Sequence, residues 1–252
     1  PKYSQEAKPL ADKGVDGSYV IRADIFGSGT YVLEPWQEIG FQVAFQAYRE
    51  KGGSMIVPDF DAEYSARMSF IRDTIDSSLI LETPDTVINT EFRFAKIRAS
   101  ESIYRTKGGL MHGPGGESYY AALWCNDECE YVNPFYPFLG YAVGNESAFN
   151  CYRLYSGFMN DDFKPVPSSI IAEGTDIWDG AGDRGDAAMI AHGLSRYLLA
   201  RGDKNEAEQL WPFLKWCLEY CHRKLNAAGV PESDSDELEG RFPAGDANLP
   251  PG

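Results

Sequence analysis

The chain has 252 residues, 43% hydrophobic and 24% charged, a globular composition that excludes wholesale disorder, collagen and a disulfide-held miniprotein. Acidic residues outnumber basic ones by 38 to 23, and the net charge of −15 sets the chain against phosphate backbones, so general nucleic-acid binding is disfavoured. Aromatic residues reach 13%, and an acidic, aromatic-rich chain suits neutral polyhydroxylated ligands. Residues 1–17 are polar and lack the apolar core of a signal peptide. No apolar run is long enough to span a membrane. Both ends read as cut, so a longer protein is expected.

Residues 18–60 read as strands, with Phe41, Val43 and Phe45 alternating, although Gln and Ala also allow a helix there. The period changes at Asp61, a candidate N-cap, and Tyr64, Met68, Ile71 and Ile75 fall on one helix face. After a short connector, Thr83-Pro84-Asp85 opens a second helix. Its expected stripe is Val87, Ile88, Phe92, Ala95, Ala99 and Ile103, and Lys107-Gly108-Gly109 ends it. A Gly-rich loop follows, then helices around residues 134–140 and 146–158 and a loop over 161–171. A helix is expected over 186–200, broken by Gly202-Asp203. The strongest pattern runs over 204–226, with Leu210, Leu214, Cys217, Cys221 and Leu225 on its buried face. Pro212 fits only if that helix starts near Leu210.

The five cysteines, Cys125, Cys129, Cys151, Cys217 and Cys221, are odd in number, which excludes a complete disulfide framework. The two i, i+4 pairs with His222 nearby allow a zinc site. Placement of Cys217 and Cys221 in a helical run favours small buried hydrophobes, so no metal is expected.

Three loops carry candidate chemistry. In the first, His112 lies in the Gly-rich stretch, and Trp124 and Asp127 are three apart, sharing a face if the turn is helical. A ring beside a carboxylate suits a sugar; the plainer reading is a core Trp and a capping Asp. The second loop holds Trp178, Asp179, Asp183, Arg184 and Asp186, and reads as hydroxyl binding, a calcium site, or an N-cap with a local Arg pair. The third crowds Glu232, Asp234, Asp236, Glu237, Glu239 and Asp246. Mutual repulsion there should raise some carboxyl pKa values, as a general acid requires; a solvated acidic loop is the alternative. The three histidines come with no Gly-x-Ser-x-Gly elbow, and no dinucleotide-binding glycine pattern follows a strand.

Together these loops resemble the six-hairpin glycoside hydrolases, the group of glucoamylases, glycogen-debranching glucosidases and α-L-rhamnosidases. The resemblance rests on Gly108-Gly109-Leu110, on Trp124-Cys125-Asn126-Asp127 and on Ser235-Asp236-Glu237-Leu238-Glu239-Gly240, and covers residues 83–249. Asn126 departs from the family's more common Arg. Strands first and paired helices afterwards suggest an α+β chain, and the resemblance implies the end of a β-sandwich over 1–60, a linker helix over 61–82, and roughly the first half of an (α/α)6 toroid over 83–252. It implies exo-type, inverting hydrolysis of a terminal glycosidic bond in an oligo- or polysaccharide, without a cofactor. Glu237 would be the acid, with Glu239 and Asp236 as substitutes. Trp124 and Asp127 would hold the terminal sugar, and His112, Trp178, Asp183 and Arg184 would line the site. The base would come from the remainder of the barrel, and the compartment would be periplasmic or extracellular. Two rivals stand beside it: a non-catalytic carbohydrate-binding module, and a helical scaffold for protein partners.

Overall fold

The computed structural model describes residues 8–13, 19–22, 34–38, 58–76, 79–113, 122–171, 177–178 and 182–234, with backbone alone for 8–13, 19–22, 171 and 177–178. Over these residues the chain is mostly helical, with a few short antiparallel sheets. It divides into two compact units, Pro1–Ala66 and Arg67–Gly252.

In the first unit, β1 (Lys8–Lys13) pairs antiparallel with β2 (Tyr19–Arg22) across an irregular register. The β1 strand lies in the stretch read from sequence only as polar, where alternating apolar residues are absent. Strand candidates at 31–33, 41–48 and 55–57 lie outside the described residues. The first helix, α1 (Phe60–Asp76), starts one residue before Asp61. Asp59 is its cap, its carboxylate accepting from the backbone N–H groups of Asp61 and Ala62. Along the expected apolar face, Tyr64 and Met68 are exposed, while Ile71 and Ile75 are partly buried.

The second unit begins within α1 and continues into α2 (Thr86–Glu101), capped by Asp85 on the Val87 N–H. This helix ends six residues before Lys107. Ile103 does not extend its stripe but opens a hairpin, β3 (Ile103–Thr106) with β4 (Gly109–His112), turned at Lys107-Gly108. Gly109 takes φ 105°, a conformation that favours glycine, and the Thr106 hydroxyl donates to its carbonyl. The buried residues of α2 are Lys96 and Ser100; of the expected stripe, Val87, Ile88 and Ala95 are exposed, Phe92 meets the Phe135 ring edge-on, and Ala99 and Ile103 pack against the core.

Strand β5 (Ala122–Trp124) pairs with β6 (Ser169–Ile171), a strand inside the expected loop, and β6 with β7 (Ile177–Trp178). A π-helix, Asp127–Val132, runs into α3 (Asn133–Leu139), its wide turn closed by the Asn133 N–H on the Glu128 carbonyl. Then come α4 (Ala142–Ser156), α5 (Asp186–Arg201) and α6 (Lys204–Arg223). Gly202, at φ 63°, closes α5, and Asp203 opens α6 by accepting from the Asn205 and Glu206 N–H groups. Pro212 sits well inside α6 rather than in its first turn. The helix carries that lost hydrogen bond because Leu210, Phe213, Leu214, Cys217 and Tyr220 are buried along one side.

These helices and the small sheet enclose one core, in which Tyr136, Tyr152, Tyr155, Tyr197, Phe213 and Leu123 are fully buried. Two of its glycines have no room for a side chain. A Cβ on Gly193 of α5 would stand 2.0 Å from the Cys129 carbonyl oxygen, and one on Gly144 of α4 would stand 2.2 Å from the Tyr136 ring. No helix among the described residues is long and apolar enough to cross a membrane.

Candidate functional site

The π-helix places Asp127 and Glu128 side by side in sequence with different surroundings. Glu128 is fully buried, and its Oε1 lies 2.8 Å from the Nδ1 of His112, itself buried at the end of β4. Burial pushes the Glu128 carboxyl above the usual range, against the pull of His112. Its other oxygen, Oε2, has no hydrogen-bond partner. Asp127 is half-buried. Desolvation raises its carboxyl too, opposed by the charges of His112 and Arg184.

Arg184 comes from the strap before α5. It is buried and acts on Asp186 as well, the first residue of α5. Asp186 Oδ2 accepts from the Ser168 hydroxyl at 2.9 Å, while Oδ1 has no partner. Desolvation pushes the Asp186 carboxyl up to about 6, although Ser168, Arg184 and Cys125 pull the other way. The cap position of α5 is Gly185, at φ 89°, rather than Asp186. Trp124 ends β5 and is partly buried. It therefore does not share a helical turn with Asp127: a strand residue precedes a helical one.

Asp183 turns to a different set of groups. Its Oδ2 accepts from Tyr220 Oη at 2.5 Å and from Lys224 Nζ at 2.7 Å, and its Oδ1 from the Gly185 N–H at 2.9 Å. The Asp183 N–H donates to Asp234 Oδ2, and the Asp234 N–H to the Asp183 carbonyl. Asp183 thus pairs with Lys224, while Asp179, another carboxylate of the calcium reading, lies outside the described residues.

Of the residues named from sequence, His112 and Arg184 act on the Asp127 carboxyl through their charges, and Asp183 goes to the end of α6. Trp178 is placed by its backbone alone, pairing with Ser169. Glu237, Glu239 and Asp236 lie outside the described residues. Sequence reasoning gave no role to Glu128, Ser168, Tyr220 or Lys224, whose partners are 16, 18, 37 and 41 residues away. No local spacing signals such pairings. Cys125, Cys129, Cys151 and Cys217 are buried thiols, with burial pushing Cys125, Cys151 and Cys217 upward. Among the described residues no group of three or more His, Cys, Asp or Glu side chains is placed to hold a metal ion.

Chemically, these residues offer a half-buried carboxylate at Asp127, a buried guanidinium at Arg184 whose charge reaches it, and a buried imidazole–carboxylate pair of His112 with Glu128. Comparisons with protein-family models, with curated proteins and with solved structures find no match to this chain.

Proposed function

We propose that the chain is part of a glycoside hydrolase that removes terminal sugars from an oligo- or polysaccharide by inverting hydrolysis. The observation that supports this reading is a half-buried carboxyl, Asp127, that feels the charges of His112 and Arg184 from two other segments. A carboxylate accepts from sugar hydroxyls and a guanidinium donates to them, so the pair suits a neutral polyol. Trp124, three residues before Asp127, would supply a ring for the apolar face of the sugar. Glu237, with Glu239 and Asp236 as substitutes, would protonate the leaving oxygen, and a carboxylate elsewhere in the protein would activate water. In this reading the helical unit is part of an (α/α)6 toroid behind a β-sandwich, in a periplasmic or extracellular protein.

The test uses the full-length protein and a panel of aryl glycosides. Turnover of at least one glycoside is expected, with Glu237→Gln losing roughly 10²-fold or more in kcat for a poor leaving group. Asp127→Asn should weaken binding and turnover together. Sugar binding without turnover in the wild type would make the protein a carbohydrate-binding module. Absence of both would favour the helical scaffold.

A further inference from the structure

We propose that Glu128 is a positioning residue: it takes the Nδ1–H of His112, fixes the proton on that nitrogen, and so leaves Nε2 as the nitrogen that meets a ligand hydroxyl. The inference rests on reading these residues as part of a sugar site.

Both members of the pair are fastened by their own elements. His112 closes β4 opposite Ile103, and just beyond it the Gly113 N–H donates to the Ser102 carbonyl. The hairpin is held to α4, where Asn150 Nδ2 donates to the Gly108 and Leu110 carbonyls at 2.9 Å and 2.8 Å. The Tyr136 ring meets the imidazole edge-on, with centroids 6.2 Å apart, and its hydroxyl donates to the Ala99 carbonyl. Glu128 stands in the π-helix, its backbone carbonyl taken by the Asn133 N–H. Its side chain has no exposed surface, and Oε1 lies 2.8 Å from His112 Nδ1.

The two nitrogens of the ring are placed differently. Among the described residues, Nδ1 makes the ring's one hydrogen bond. The His112 side chain keeps 5% of its surface exposed, and neither of its nitrogens is among the buried atoms without a partner. Nε2 is therefore at the edge that reaches solvent. Asp127, half-buried, is the residue next to the one that holds Nδ1, so the imidazole and that carboxyl share one neighbourhood by chain connection as well as by charge.

A purely packing role explains the pair poorly. A buried carboxylate beside an imidazole is a weak source of net stability compared with apolar side chains of like volume. Glu128 Oε2 is buried without a partner, which costs stability further. Orientation is what the arrangement supplies: an acceptor behind Nδ1 selects one tautomer and one ring angle.

The experiment records 15N NMR of the imidazoles in the histidine-labelled full-length protein, with His112→Gln for assignment. In the wild type Nδ1 should stay protonated while Nε2 alone responds to pH. In Glu128→Met the ring should revert to the Nε2–H form that a free histidine favours, and Glu128→Gln, which keeps an oxygen for the Nδ1–H, should hold the wild-type form. A merely structural contact lowers the melting temperature of Glu128→Met and leaves the tautomer of the folded protein as it was; that result overturns the proposal. So does a bare Nδ1 in the wild type, a result that needs no variant to fold. D-glucose, D-galactose, D-mannose and L-rhamnose are then added in turn, and any that raises the melting temperature should move the Nε2 resonance; a bound sugar that leaves it unmoved overturns the ligand contact. In turnover, Glu128→Met should lose roughly tenfold in kcat/KM, with most of it recovered in Glu128→Gln. A wild-type protein that binds none of these sugars and turns over no glycoside defeats the sugar reading alone, because the tautomer needs no ligand.

Discussion

Helices α2 and α6 are both capped by an aspartate on the first-turn N–H groups, yet they bury opposite kinds of side chain. α6 buries Leu210, Phe213, Leu214, Cys217 and Tyr220 against α5 and its neighbours. α2 buries Lys96 and Ser100 and leaves Val87 63% and Phe94 59% exposed. The Lys96 ammonium donates to the Ile75 and Leu79 carbonyls, closing the end of the preceding helix. A helix can therefore be placed by what its long side chains cap as well as by what its apolar face covers.

The contrast can be broken by substitution, starting where the largest loss is expected. Gly193→Ala drives a Cβ to 2.0 Å from a backbone oxygen, and thermal melts should show loss of the cooperative transition, since neither backbone can retreat alone. Phe213→Ala should cost about 3–5 kcal/mol in urea denaturation, and a loss under 1 kcal/mol would deny α6 its core role.

Asp186 adds a pH dependence at the start of α5. Its folded pKa of about 6 lies above the ordinary carboxylate value of 3.8, so its contribution is fully present below about pH 4 and is lost as pH rises through 6. Asp186→Asn does not titrate. Relative to wild type it should gain up to about 3 kcal/mol between pH 4 and pH 7. A difference that stays flat over that range sinks the assignment.

On the α2 side, Lys96→Met keeps most of the stem and removes the donor, and should cost about 1–3 kcal/mol through the carbonyls left behind. Phe94→Ser should change stability by no more than about 0.5 kcal/mol, because an exposed ring has little to lose. Equal losses at Phe94 and Phe213 would erase the distinction between the two helices.

The same distinction governs how much of the fold could be read beforehand. Gly202-Asp203 marks the break between α5 and α6 in sequence and in structure, because a left-handed closure followed by a capping carboxylate is a local signal. The β3–β4 hairpin was equally local, with Ile103-Tyr104-Arg105-Thr106 running into Lys107-Gly108-Gly109. It was hidden because Ile103 also falls in phase with the α2 stripe. In the site, His112, Asp127 and Arg184 could be named from residue type. Glu128, Tyr220 and Lys224 could not, since each acquires meaning only from a partner that folding brings across the core.

The π-helix at Asp127–Val132 makes the site depend on chain length as well as on residue identity. Its i→i+5 bonding accommodates one more residue than α-helical winding would, so removing any one residue there offers the backbone a regular α-helix. The cost would fall on phase: Asp127 would rotate by about 100° relative to α3, and Cys129 would withdraw from Gly193. A single-residue deletion would then lose the carboxylate cluster while improving the helix that carries it.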